Sequence, residues 1–141
     1  MPGRPAPSRR TVLRGAAVAP VAGLGAAACS PGDGVEGPGR PAEPVELGGE
    51  KEIAEGGAKL YRDQKVVVSR AADGSLKAYS SVCTHAGCPM TKLEGTTLTC
   101  FCHGSEFDAR TGEVLRAPAT VPLKELPVQV EDGRIVAGPE A

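Results

Sequence analysis

The residues able to do chemistry in this chain are gathered in two short segments. Cys83-Thr84-His85-Ala86-Gly87-Cys88 and Cys100-Phe101-Cys102-His103-Gly104-Ser105 hold four of the five cysteines and both histidines. Each segment sets a thiolate and an imidazole two or three residues apart and adds a further Cys. A plain disulfide framework would employ the four cysteines but would leave both histidines beside them by coincidence. A structural zinc site built from two cysteines and two histidines has an equivalent ligand set. It gives no role to Cys88 and Cys102, however, and its usual spacings are wider than Cys-x-His.

A third reading is a 2Fe-2S centre in which two Cys hold one iron and two His the other. The segments resemble the Rieske pattern C-T-H-x-G-C and C-x-C-H-G-S, the second matched at every fixed position. Phe107-Asp108, Thr111-Gly112, Pro118 and Pro122-Leu123 resemble that family's usual continuation. The resemblance covers roughly residues 45–140. It implies that Cys83 and Cys100 bind one iron, that His85 and His103 bind the other, and that Cys88 and Cys102 form a disulfide between the two loops. It also implies a base of antiparallel strands with a cluster-binding subdomain, about residues 81–119, inserted into it.

Elementary chemistry agrees with such a centre. Neutral imidazoles in place of two thiolates leave a cluster less negative, which raises its potential. Gly87 and Gly104 let backbone come close, so that amide N–H groups can point at sulfur. By the resemblance, the Ser105 hydroxyl donates to a cluster sulfide. Respiratory members commonly carry a Tyr where this chain has Phe107, and often a Leu where it has Ala86. Losing the Tyr donor implies a lower potential than in a Tyr-bearing relative, and Ala86 implies a thinner cover over the cluster. Phe107 also reads as ordinary core.

These residues need a scaffold, and the apolar signal from Val45 onward arrives in short pulses. Lys59–Tyr61, Lys65–Ser69, Leu76–Ser80, Thr97–Thr99, Val114–Leu115, Val128–Val130 and Ile135–Val136 are predicted strands. Ala72-Asp73-Gly74, Thr111-Gly112 and Glu131-Asp132-Gly133 separate them with turn chemistry. No segment sustains a helical stripe over ten residues. The pattern predicts an all-β antiparallel sandwich or open barrel over residues 45–141. So small a core gains from a metal cluster or a disulfide.

The front of the chain differs. Residues 1–28 carry Arg4, Arg9, Arg10 and Arg14 and no acidic residue, whereas the remainder carries twelve basic and seventeen acidic side chains. Ser8-Arg9-Arg10-Thr11-Val12-Leu13-Arg14 resembles the twin-arginine export signal, with Val12 where Phe is commonest. The uncharged run Gly15–Gly32 is too weakly apolar for a membrane span and reads as a cleavable segment. Ala26-Ala27-Ala28 before Cys29 reads either as a cleavage site or as a degenerate lipoprotein signal with Cys29 lipidated. The isolation of Cys29 from the cysteine cluster favours lipidation. Eight of the fifteen residues Ser30–Pro44 are Gly or Pro, so residues 29–44 read as a tether.

Aromatic residues make up 3% of the 141-residue chain and the net charge is −1, which together exclude nucleic acid as a partner. There is no nucleophile–base pair outside the two Cys/His segments and no nucleotide loop, so no catalytic site of its own is legible. The reading is an electron-transport protein, exported to the outer face of the cytoplasmic membrane or beyond. It would meet a partner oxidoreductase or cytochrome through the imidazole edges of His85 or His103, with Cys29 reaching the membrane surface. The other readings are the Rieske subunit of a quinol-oxidising cytochrome bc-type complex, the ferredoxin of a ring-hydroxylating dioxygenase, and a zinc-stabilised binding module.

Overall fold

Val66, Val67 and Val68 form a fully buried run, and the domain is layered around it. The structure is a computed structural model and describes residues 41–139. The export signal, Cys29 and the tether up to residue 40 lie outside the described residues. Eleven strands follow in chain order: β1 (Val45–Gly49), β2 (Ala58–Tyr61), β3 (Val66–Arg70), β4 (Leu76–Ser80), β5 (Lys92–Glu94), β6 (Thr97–Thr99), β7 (Glu106–Asp108), β8 (Val114–Arg116), β9 (Glu125–Leu126), β10 (Val128–Glu131) and β11 (Arg134–Ala137). A single 3-10 turn, Glu50–Glu52, is the only helical element among the described residues.

The strands make three antiparallel sheets, ordered β1-β11-β10, β2-β3-β4-β9 and β5-β6-β7-β8. The central sheet is covered on both faces, which is why Val66, Val67 and Val68 of β3 can run apolar rather than alternating. Val66 and Val68 pack with Tyr61, Ala78, Leu126, Ile135 and Ala137 toward the first sheet. Val67, one residue out of phase, packs with Tyr79, Leu98 and Phe107 toward the third. Burying each valine contributes about 1.5–3 kcal/mol.

The third sheet is an excursion from the second. The chain leaves β4 at Ser80 and returns as β9, which pairs with β4 through Ala78 and Leu126. Everything between two neighbouring strands of one sheet is therefore an insertion, as the family resemblance led one to expect. Gly112 locks its base. Its φ is +75°, and a Cβ there would lie 2.7 Å from Cε1 of Tyr79.

All seven predicted strands are present, with small adjustments at their ends. Lys65 belongs to the preceding turn, at φ +55°, and β8 extends one residue further, to Arg116. Four strands were not predicted: β1, β5, β7 and β9. β1 carries two consecutive glycines and a bulge between Glu46 and Gly48, which break its apolar rhythm. β5 and β7 hold one apolar residue each between charged neighbours.

Candidate metal centre

Two loops of the insertion carry the reactive residues, and their backbones are wired alike. In the first, which follows β4, the Cys83 N–H donates to Cys88 O at 2.8 Å and the Gly87 N–H donates to Cys83 O at 2.9 Å. In the second, between β6 and β7, the Cys100 N–H donates to Ser105 O at 2.8 Å and the Gly104 N–H donates to Cys100 O at 2.9 Å. Each loop thus starts at a buried Cys, turns at a glycine four residues on, and closes one residue later. The glycines sit at φ +74° and +80° with no protein atom within 4 Å of a would-be Cβ, so the left-handed backbone is what calls for them. Their N–H groups are engaged by carbonyls. The amides directed at sulfur are those of Cys102 and His103, which donate toward the Cys100 thiol.

The donors straddle the protein surface. Cys83 and Cys100 are unbridged and 2% and 1% exposed, embedded in the core with Met90, Leu98, Phe107, Ala119 and Leu123. Burial pushes the Cys100 thiol above its ordinary range, and the Cys83 thiol, hydrogen-bonded to it, pushes the same way, against the pull of the Cys102 and His103 amides. His85 and His103 are exposed, and their rings meet edge to face with centroids 4.7 Å apart. Cys88 and Cys102 are joined in a disulfide, Cα to Cα 6.6 Å, which pins the first loop to the second. The sulfurs of Cys88, Cys100 and Cys102 lie within 4.8 Å of one another. Two of them are oxidised to the disulfide, so Cys100 is the free thiol of the three.

A third segment braces both loops, and this the sequence did not reveal. The Thr84 hydroxyl donates to Val121 O at 2.6 Å, and the Ala119 N–H donates to the Ser105 hydroxyl oxygen at 3.0 Å. The Leu123 N–H donates to Gly112 O at 2.8 Å, which fastens the far end. Pro118 and Pro122, which fix the backbone on either side of Ala119 and Val121, were the available signal. Ser105 is completely buried. Because its oxygen accepts from Ala119, its own proton remains to be donated. Phe107 is likewise fully buried, opposite Leu98 and Val114, and so serves as core. Ala86 is exposed.

The chemistry of this donor set fits an iron–sulfur cluster. The Cys100 thiol, buried beside Cys83, resists ionisation unless a strong positive centre compensates it, and a metal that deprotonates thiols is such a centre. Two imidazoles, one from each loop, lie on the outer side, and their rings are in contact. Fold and site together define a small antiparallel β domain that presents a metal cluster between two disulfide-linked loops.

The family model described as the Rieske [2Fe-2S] domain matches residues 43–127, and the chain belongs to that family. Its cofactor is accordingly a [2Fe–2S] cluster. The cytochrome b6-f complex iron-sulfur subunit of Chlorobaculum tepidum is 37% identical over 93 residues, which are 64% of this chain and 50% of that protein. Sulredoxin of Sulfurisphaera tokodaii is 42% identical over 67 residues, 46% of this chain and 62% of that one. Among solved structures, the cyanobacterial plasma membrane Rieske protein of Synechocystis superposes with a TM-score of 0.54 at 30% identity, covering 67% of this chain and 99% of the other. The chain spans half the length of the Chlorobaculum subunits it matches.

Proposed function

We propose that the domain is an exported one-electron carrier in which Cys83 and Cys100 hold one iron and His85 and His103 the other. When bound, the [2Fe–2S] cluster supplies reversible one-electron oxidation and reduction. The carrying observation is the asymmetry of the donors, two thiols inside the core and two imidazoles on the surface. The buried side holds, and the exposed side meets a partner. The amides of Cys102 and His103 and the hydroxyl of Ser105 offset negative charge on sulfur, and the Cys88–Cys102 disulfide keeps the loops in register. The exposed edges of His85 and His103 are the contact for a redox partner protein, an oxidoreductase or a cytochrome.

The resemblance of Ser8–Arg14 to a twin-arginine signal supports export of the folded protein, and Cys29 supports lipid anchoring outside the cytoplasmic membrane. A second reading, the quinol-oxidising subunit of a cytochrome bc-type complex, is favoured by the similarity to the Chlorobaculum subunit. Phe107 and Ala86 stand against it. No helix among the described residues is long and apolar enough to cross a membrane.

Visible and EPR spectra of the purified full chain test the ligand set. The reduced protein is expected to give a [2Fe–2S] signal that His85→Ala or His103→Ala abolishes. A colourless protein with stoichiometric zinc, or a normal signal in both variants, overturns the reading. Co-purification with a b-type cytochrome, together with quinol oxidation, would select the second.

A further inference from the structure

We infer that the end of the central sheet remote from the cluster loops carries a binding pocket for a small dianion, a phosphate or a dicarboxylate. The pocket has a volume of about 360 Å³ and is lined by Arg70, Lys77, Arg110, Ser69 and Ser75 among others. That is the size of a small-molecule site. It lies where β3 ends and β4 begins, and Arg110 reaches it from the turn after β7. β4 runs from it toward the first cluster loop, and β7 runs toward it from the second, so these two strands separate the two sites.

The strand pattern explains why a pocket opens there. Ser69 and Lys77 are cross-strand partners. By the two-residue period they lie on the same face of the sheet as Val67 and Tyr79. That face is covered by the inserted sheet as far as the contact of Tyr79 with Gly112. Beyond it the side chains change from apolar to Ser and Lys, Ser69 still buried and Lys77 exposed.

The charge of the pocket runs against that of its domain. Residues 41–139 carry eleven basic and fourteen acidic side chains, yet the lining gathers three of the cations and none of the carboxylates. Lys77 has no ion-pair or hydrogen-bond partner among the described residues. Arg70 has no carboxylate either. Its Nη1 donates to Ile53 O at 3.4 Å, and its Nε is buried without an acceptor. A half-dehydrated guanidinium with no counter-ion gains most from an anion that the protein itself does not supply. Arg110 is oriented by Asp108, which accepts from its Nε and Nη2 and leaves Nη1 unengaged. The Ser69 hydroxyl adds a neutral donor. Two separated cations and a fork suit two negative charges on a compact ligand.

The test is a titration of the cluster-loaded full chain with inorganic phosphate and, separately, with succinate, at fixed ionic strength. Calorimetry and the amide resonances of Ala71, Ala72 and Ser75 provide the readouts. Saturable one-to-one binding of at least one anion is expected, weakened tenfold or more in Lys77→Gln and unchanged in Lys51→Gln, which lies outside the pocket. Phosphate binding alone would point to a phosphorylated ligand, and succinate binding alone to a carboxylate. Arg70→Gln should weaken binding further. If that variant fails to fold, Lys77→Gln still decides the matter, because an exposed and unpartnered side chain can be removed without cost. Non-saturating shifts with both anions, or equal loss in Lys51→Gln and Lys77→Gln, would overturn the pocket.

Discussion

Ser105 shows how much one small side chain is asked to do. Its oxygen accepts the buried Ala119 N–H, so its proton is free for the role proposed here, donation toward a cluster sulfide. A donor to sulfur favours the more negative reduced state. Ser105→Ala should therefore lower the reduction potential, by about 59 mV if the lost preference is worth about 1.4 kcal/mol. It should also lower stability by about 1–3 kcal/mol, because the Ala119 N–H loses its acceptor in a buried setting. Voltammetry separates the two effects, since a purely structural serine would leave the potential where it was. Asp108 is a second residue with a measurable signature. The Arg110 guanidinium, assisted by the Arg110 backbone N–H, holds its carboxyl below the usual range against the opposing effect of burial. A carboxyl whose pKa is lower folded than unfolded adds stability above the unfolded value of about 3.9, and loses it as pH falls through the folded value. Asp108→Asn should melt below the parent protein at neutral pH, and the gap should close as pH drops below about 4. A constant gap across that range, measured by bleaching of the cluster colour, would show that the ion pair is not the cause.

At the scale of elements, the insertion depends on ties between segments distant in sequence. The disulfide closes a span of fourteen residues, which by loop-closure entropy is worth about 3 kcal/mol. Replacing both Cys88 and Cys102 by Ser should leave a cluster that still forms but is lost at lower temperature or denaturant concentration. The two thiol ligands proposed for it lie on other residues, and each loop keeps its own carbonyl wiring. An unchanged cluster half-life would remove the stabilising role of the bridge. The same contrast between local and distant ties explains what could be read beforehand. The two Cys/His segments were legible because each packs its donors and its turn glycine into six consecutive residues. β3, β10 and β11 were legible because their β-branched residues are bounded by turns, as at Asp132-Gly133, where both residues take positive φ. β5, β7 and β9 were not, since each offers a single apolar residue beside charged ones and depends on the partner strand next to it. The brace from Thr84 and Ser105 to residues 119–121 joins parts of the chain up to 37 positions apart, and no local pattern announces such a bond.

For the molecule as a whole, the proposed export and the cofactor chemistry constrain each other. The proposed centre draws its four donors from two loops that meet only in the folded insertion, so a cluster put in place before export must travel in a folded domain. A disulfide between Cys88 and Cys102, by contrast, belongs to an oxidising compartment. The order that satisfies both is cluster assembly and folding in the cytoplasm, passage of the folded domain, and then oxidation of the two outer cysteines. Changing Arg9 and Arg10 together to Lys should hold cluster-bearing protein in the cytoplasm, with Cys88 and Cys102 reduced and open to alkylation. The parent protein should be recovered outside the cytoplasm with both blocked. Cys29→Ser should leave export intact and shift the exported protein from the membrane fraction to the soluble one. Fractionation followed by thiol alkylation and mass spectrometry reads all of these at once. If the double-lysine variant reaches the outside at the parent's level, the Arg9-Arg10 pair is not the address. If Cys29→Ser fractionates with membranes as before, the anchor lies elsewhere than at Cys29.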